Sequence, residues 1–370
     1  MTRAGEAGFT MTEIMVSVLL VGIAAAFTFS IQVRSSAAFR DQTHVSEAQQ
    51  GLRAASELIT RDLRNVGFLS GRLNSPALGA DFAPVLIDNN ASDGTDVLTI
   101  FYADPSNVTY VPTTALSFDL SPDETTVGSS AGFANGDLVV FGRTGPNDQA
   151  TSKGHGCILQ LTGTNAGLLQ HSGITGPWNQ AGNTHCDLTW MGSWNDGYTR
   201  VGKLVMRSYR IRPSDGRGVL EMSPTGGLIN DWQALALGIV DLQVAVRVYN
   251  PDDLASDLDG DGDTKWDWYS GDGMETVLDP VLAAGDHPVP VQLSVTLVAR
   301  TTKEVSSTGA TRTPDLTDVA NPDNNALGDH AGTDLPVTDT ASLFFGNHVY
   351  RTMNSKVDLR NLGVGLVPTP

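Results

Sequence analysis

The sequence predicts an α+β fold, with one long N-terminal helix packed on an antiparallel β-sheet that carries loop insertions. Three observations lead there. Residues 14–31 form an apolar run without Lys, Arg, Asp or Glu, and the chain continues from it into an amphipathic stretch that ends near Gly67. Beyond Phe68 the pattern changes to short β-type runs between Gly, Asp, Asn and Pro turns. Two of the later runs alternate: Leu242, Val244, Val246 and Val248 against Gln243, Ala245 and Arg247, and Val291, Leu293, Val295 and Leu297 against Gln292, Ser294 and Thr296. Half-buried antiparallel strands give that pattern.

The helix comes first. A short polar leader holding Arg3 runs into Gly8 and Phe9, and a single carboxylate, Glu13, stands just before the apolar run. That run is about as long as a bilayer-spanning helix needs, roughly 20 residues. A secretory signal would close with small residues at a cleavage site, and no such site closes this one. A helix from Phe9 to about Val66 would measure roughly 85 Å at 1.5 Å per residue. Its first half is apolar nearly all round. Its second half carries Leu52, Ala55, Ile59 or Leu58, Leu63 and Val66 at three-to-four spacing, a stripe suited to lying on a sheet. Asn65 and Gly67 mark its end, and Gly22 is a point where it would loosen. A carboxylate at the lipid end of a spanning helix costs on the order of 2.5–3.5 kcal/mol, so such a group usually faces a protein partner. In the first turn Glu13 also suits the positive end of the helix dipole.

The β region offers candidate strands at 97–102, 115–120, 138–141, 157–162 and 204–212, besides the two alternating ones, and no fixed-period repeat. With 370 residues and 40% hydrophobic content the chain can build one large domain or two small ones. A net charge of −18 disfavours nucleic acid, since phosphate contacts need clustered Lys and Arg. It favours solubility and cation binding.

The leader, Gly8, Phe9, Glu13 and the apolar run together resemble the class III signal of type IV pilins and type II secretion pseudopilins. Segments 49–68, 204–223, 235–250, 291–301 and 349–363 resemble, in order, the helix end and core strands of PilW-type minor pilins. The resemblance covers the helix and about half of the β domain. It implies a pilin-like α+β fold divided into a leader (1–8), a membrane and filament-core half-helix (9–31), an amphipathic half (32–67) and a β domain (68–370). Insertions fall at about 143–200, 251–287 and 302–340. It further implies that a prepilin peptidase cuts after Gly8, that Phe9 is methylated, and that Glu13 meets the N-terminal amine of a neighbouring subunit. The implied function is a minor pilin that primes pilus assembly, with twitching motility and cell adhesion as processes served. The implied partners are other minor pilins, the major pilin, a large tip adhesin and the inner-membrane assembly platform. The implied location is the inner membrane, with the β domain in the periplasm, and then the extracellular pilus tip. A minor pseudopilin of a type II secretion system and a membrane-anchored calcium-dependent adhesion domain remain the alternatives.

Export would bring Cys157 and Cys186 into an oxidising compartment, where a disulfide is the first expectation, contributing about 3 kcal/mol in a loop-entropy account. A zinc set with His155 and His185 is the competing reading. Adjacent His185 and Cys186 reach one tetrahedral ion poorly, and the usual cysteine spacing is missing. Asp257, Asp259, Asp261 and Asp263, with Gly262 at the sixth position, match the first half of an EF-hand loop and point to calcium. Trp268 stands where the bidentate Glu belongs, and Asp267, Asp272 or Glu275 are the candidates for remaining oxygens. A solvated acidic loop is the plain alternative.

Gly128-Ser129-Ser130-Ala131-Gly132 fits G-x-S-x-G. A nucleophile elbow needs a strand before the serine and a helix after it, whereas here a loop leads into a strand. The reading is therefore a Gly/Ser turn in a chain that is not an enzyme. Trp266, Trp268 and Tyr269 form either an adhesive patch or, more commonly, packing against the sheet. Residues 302–340 read as a binding surface or a disordered excursion in equal measure.

Overall fold

The structure is a computed structural model, which describes residues 10–69, 72–75, 79–90, 95–112, 124–143, 155–171, 178–179, 199–214, 217–249, 266–270, 289–301, 303–304 and 348–359. Helix α1 (Met11–Leu63) is followed by β1 (Arg72–Ser75), β2 (Gly79–Phe82), β3 (Val85–Asn90), β4 (Thr95–Tyr110), β5 (Glu124–Thr126) and β6 (Leu138–Arg143). Then come β7 (His155–Gln160), β8 (Gly163–Asn165), β9 (Leu168–Gln170), β10 (Thr199–Ser214) and β11 (Arg217–Ser223). Last are β12 (Gln233–Leu237), β13 (Ile239–Tyr249), β14 (Trp266–Ser270), β15 (Val289–Arg300) and β16 (Tyr350–Asp358).

This is the expected α+β arrangement, a long helix with antiparallel sheets, though the described strands divide among three sheets. The largest runs β12-β11-β10-β6-β7-β1-β2, with β4 also on β10 and β3 on β4. The second runs β14-β13-β15-β16, and a small third runs β5-β9-β8. Pairing is antiparallel except between β1 and β7, which run parallel. The organising strand is β10, which pairs with β4 along one edge and with β6 and then β11 along the other.

Four of the strands expected from local pattern are present. Residues 97–102 lie inside β4, 138–141 inside β6 and 204–212 inside β10, while 157–162 starts two residues earlier as β7. Residues 115–120 lie outside the described residues. Strand β7 falls within the stretch read as an insertion, yet it sits between β6 and β1 in the middle of the large sheet.

The helix stripe is as the spacing predicts, with Ile59 rather than Leu58 at the ambiguous position. Ala48, Leu52, Ala55, Ile59, Leu63 and Val66 are buried in one core with residues of β3, β4, β10, β11, β13, β15 and β16, and Leu58 is only partly buried. Regular helix ends at Leu63, short of Val66, and Arg64 caps it. Gly67 then takes φ 72, the left-handed turn that glycine adopts without strain. From there the chain joins the sheet: the Gly67 amide donates to the Phe101 carbonyl at 3.3 Å, and Ala103 donates to Phe68 at 3.2 Å. The helix is unbroken through Gly22.

The alternating strands depart from expectation on their polar side. Leu242, Val244 and Val246 face the core with Leu293, Val295 and Leu297, but Gln243, Ser294 and Thr296 are buried as well. Burial is tolerated because these groups are paired. Asn354 on β16 donates to the Ser294 and Thr296 hydroxyls, both at 2.8 Å, and Gln243 donates to Asp241 at 3.0 Å. Alternation of polarity therefore records which groups pair with one another, not which face meets water.

Candidate assembly helix and its anchor

Among the described residues, α1 divides sharply at Ala48, its first buried side chain. Residues 11–47 are exposed or half-buried throughout, about 55 Å of helix at 1.5 Å per residue. Ile14, Val16, Val18, Leu19, Leu20 and Phe27 each keep more than half of their surface uncovered. The segment is long and apolar enough to cross a membrane, and none of its apolar window is buried. Uncovered apolar surface on this scale marks a site of contact with lipid or protein.

The first turn is organised by a capping box that local reading missed, although its spelling, Thr10-x-x-Glu13, is in the sequence. The Glu13 amide donates to the Thr10 hydroxyl at 3.3 Å, and the Glu13 carboxylate accepts from the Thr10 amide at 2.9 Å and hydroxyl at 2.8 Å. Within one chain, Glu13 thus serves its own helix N-terminus. Its side chain stays exposed, so it is still open to a second contact. Gly8 and Phe9 lie outside the described residues.

At the other end the helix is seated by apolar packing and two polar ties. Ser56 bonds Ser355 of β16 at 2.7 Å, hydroxyl to hydroxyl. Asp62, 1% exposed, accepts from the Arg207 guanidinium and from the Tyr209 hydroxyl, both on β10. Burial is the largest single influence on the Arg207 pKa and lowers it, but the Asp62 charge and hydrogen bond, with Tyr102 and Tyr209, together outweigh it and raise it. Burial, then the hydrogen bond to Asp62, pushes the Tyr209 phenol up, so it stays a donor. This anchor also escaped sequence reading. The signal available was one acid, Asp62, between Ile59 and Leu63 on the core stripe, where a charge has to find a partner.

Of the remaining sequence candidates, most lie outside the described residues, and those that are described stand on separate elements. Cys157 is fully buried on β7, next to Ile158 in sequence and opposite Phe141, and Cys186 lies outside the described residues. Asp257, Asp259, Asp261 and Asp263 lie outside them too. Asp267 is on β14 opposite Val248, with its side chain outside the description. Among the described residues no group of His, Cys, Asp and Glu is arranged to hold a metal. Trp268 is packed, 5% exposed, against Ala245, with the Lys356 and Arg247 cations 5.1 and 6.0 Å from its ring. Ser130 sits in a turn: its hydroxyl donates to the Asn165 carbonyl at 2.7 Å and accepts from the Gly167 amide at 3.2 Å. The chain then enters β6, so the strand–turn–helix geometry of an elbow is not what surrounds it.

No family model matches the sequence, and no curated protein does. Among solved structures the chain is similar to a type IV-like pilin from Thermus thermophilus, at 9% identity, a TM-score of 0.30, and coverage of 85% of this chain and 97% of that one. A likeness that slight carries no argument. Any functional reading rests on the helix and its seat.

Proposed function

We propose that the chain is a subunit of a type IV pilus-class filament, specifically a minor pilin that primes assembly and joins the tip complex carrying an adhesin. The observation that supports this is the single helix with two environments: a bare apolar half and a buried, polar-tied half. A bare anchor of this kind is at home in lipid, and it can leave lipid only for another apolar surface, such as the helices of neighbouring subunits. Rigid continuity into the anchored half means that moving the helix moves the domain.

In this reading a prepilin peptidase cuts after Gly8, Phe9 becomes the methylated terminus, and Glu13 exchanges its contact with Thr10 for the amine of a neighbour. Other minor pilins, the major pilin and the assembly platform are the partners. The subunit waits in the inner membrane and ends at the extracellular tip. Glu13→Val and Gly8→Val are expected to abolish piliation, scored by electron microscopy and sheared-pilus yield, with the protein still present in the membrane. Normal piliation in both variants would remove the assembly role and leave a membrane-anchored adhesion domain.

Two accessory features belong to the same proposal. Cys157 and Cys186 form a disulfide. The Asp257, Asp259, Asp261 and Asp263 loop, with Asp267, takes a calcium ion through alternate carboxylate oxygens. Calorimetry should show calcium binding by the full chain that disappears in Asp259→Ala with Asp261→Ala; identical isotherms would dismiss the site.

A further inference from the structure

Sheet register puts three arginines on one face. Arg210 lies opposite Glu221, Arg212 opposite Val219 and Ser214 opposite Arg217, so these residues of β10 and β11 share a side of the sheet. The other side carries Tyr209, Ile211 and Leu220, which pack in the core with α1. The arginine face therefore points away from the helix. Leu237 of β12, opposite Val219, extends it. At the β11–β12 connection Trp232 lies under Arg210, 3.9 Å from guanidinium carbon to ring centroid.

Both charge and apolar exposure single this face out. Glu221 serves two arginines, Arg210 at 3.0 Å and Arg212 at 2.5 Å, and they hold its carboxyl below the usual range against the opposing effect of burial. Asp231, the other nearby acid among the described residues, accepts from the Ser223 and Thr225 hydroxyls. Among the described residues Arg217 forms no ion pair, and there the three arginines outnumber Glu221 and Asp231 on a chain of net charge −18, while Asp215 in the β10–β11 turn lies outside the described residues. The β11–β12 connection lies on this side, since the Gly227 amide donates to the Ser223 hydroxyl at 2.9 Å and Ser223 shares the face of Glu221. Its Leu228 and Ile229 are 47% and 61% exposed and Leu237 is 61% exposed; with Tyr110 they are the only exposed large hydrophobics among the described residues outside α1.

We propose that this arginine-and-leucine strip docks an acidic extended segment of a protein partner. Carboxylates of that segment pair with Arg217 and Arg212, and its apolar side chains cover Leu228, Ile229 and Leu237. Bidentate arginine–carboxylate pairing beside apolar contact is the chemistry such a segment supplies. An anionic membrane surface is the poorer fit, because it is recognised by clusters of four to eight basic residues. Nucleic acid is repelled by the rest of the chain. The strip lies opposite the helix and does not depend on the filament reading.

The test uses the full chain in detergent micelles and two short labelled peptides, one alternating glutamate with valine and one alternating lysine with valine. Fluorescence anisotropy should show saturable binding of the glutamate peptide only. Its affinity should fall at least tenfold in Arg217→Glu and, separately, in Ile229→Asp. Both residues are exposed, so unchanged melting curves will confirm that the variants fold. No saturable binding, equal binding of the lysine peptide, or unchanged affinity in both variants would overturn the proposal. So would sedimentation showing a dimer of the wild type that Arg217→Glu dissociates, because the strip would then belong to a second copy.

Discussion

Removing the Asp62 carboxylate should loosen the seat of the helix more than any other single polar change nearby. Asp62→Ala takes away the acceptor for the Tyr209 hydroxyl, which is fully buried, and the counter-charge for Arg207, whose side chain is 25% exposed. An orphaned buried hydroxyl costs ~1–3 kcal/mol. Breaking a buried ion pair by removing one partner costs about 3–5 kcal/mol, and the part-exposure of Arg207 places this pair at or below the low end. These costs overlap because one carboxylate oxygen serves both donors, so the expected loss is about 3–4 kcal/mol. Asp62→Asn keeps an acceptor in place and should lose roughly half of that. Urea unfolding in detergent, followed by tryptophan fluorescence, measures both. A double-mutant cycle with Arg207→Ala should return a coupling of about 1–3 kcal/mol. If Asp62→Ala falls within about 0.5 kcal/mol of wild type, or if the cycle shows no coupling, the anchor is not what seats the helix.

The two halves of α1 should respond oppositely to the same truncation. Leu52→Ala, at a site 4% exposed, is expected to destabilise the domain by about 3 kcal/mol, whereas Leu20→Ala, at a site 60% exposed, should leave its urea midpoint unchanged; equal effects would contradict the division at Ala48. His348 carries a pH dependence. Its ring nitrogen Nδ1 donates to the Thr301 carbonyl at 2.7 Å, and burial, then the Arg300 charge, lowers its pKa below the ordinary 6.5. The unfolded chain then binds the proton more readily, so this contribution is present above about pH 6.5 and is lost as pH falls below it. Urea titrations at neutral and mildly acidic pH should show a larger loss for wild type than for His348→Asn, and parallel losses would refute the assignment.

Elements with strong local periodicity were legible in the sequence. The helix announced itself through an uncharged run and a stripe of apolar side chains, and Gly67 gave its end within a turn. The 138–141 run was readable because Val139, Val140 and Phe141 dominate it, and the 204–212 run because Tyr209 and Ile211 alternate with Arg210 and Arg212. Sheet membership was not readable, because it depends on which strands β10 meets across long separations; nothing local tells Thr199–Ser214 to bridge β4, β6 and β11. The burial of Ser294 and Thr296 was hidden for the same reason, since Asn354, their donor, arrives some sixty residues later. At the candidate site, Glu13 was visible and its partner Thr10 was overlooked although only three residues away. Asp62 needed its β10 partners before its burial made sense.

The tie between Ser56 and Ser355 spans 299 residues of chain. Strand β16, which supplies Ser355, closes the edge of the second sheet, so the helix made first during synthesis cannot settle until one of the later segments arrives. Throughout that interval its stripe of Leu52, Ile59 and Leu63 stays wet and sticky. Early capture of the apolar half by a bilayer would hold the newborn chain by one end and keep the waiting stripe away from its neighbours. A version stopped before Tyr350 should therefore be a clearance substrate, its helix still able to reach β10 but lacking one wall of its seat.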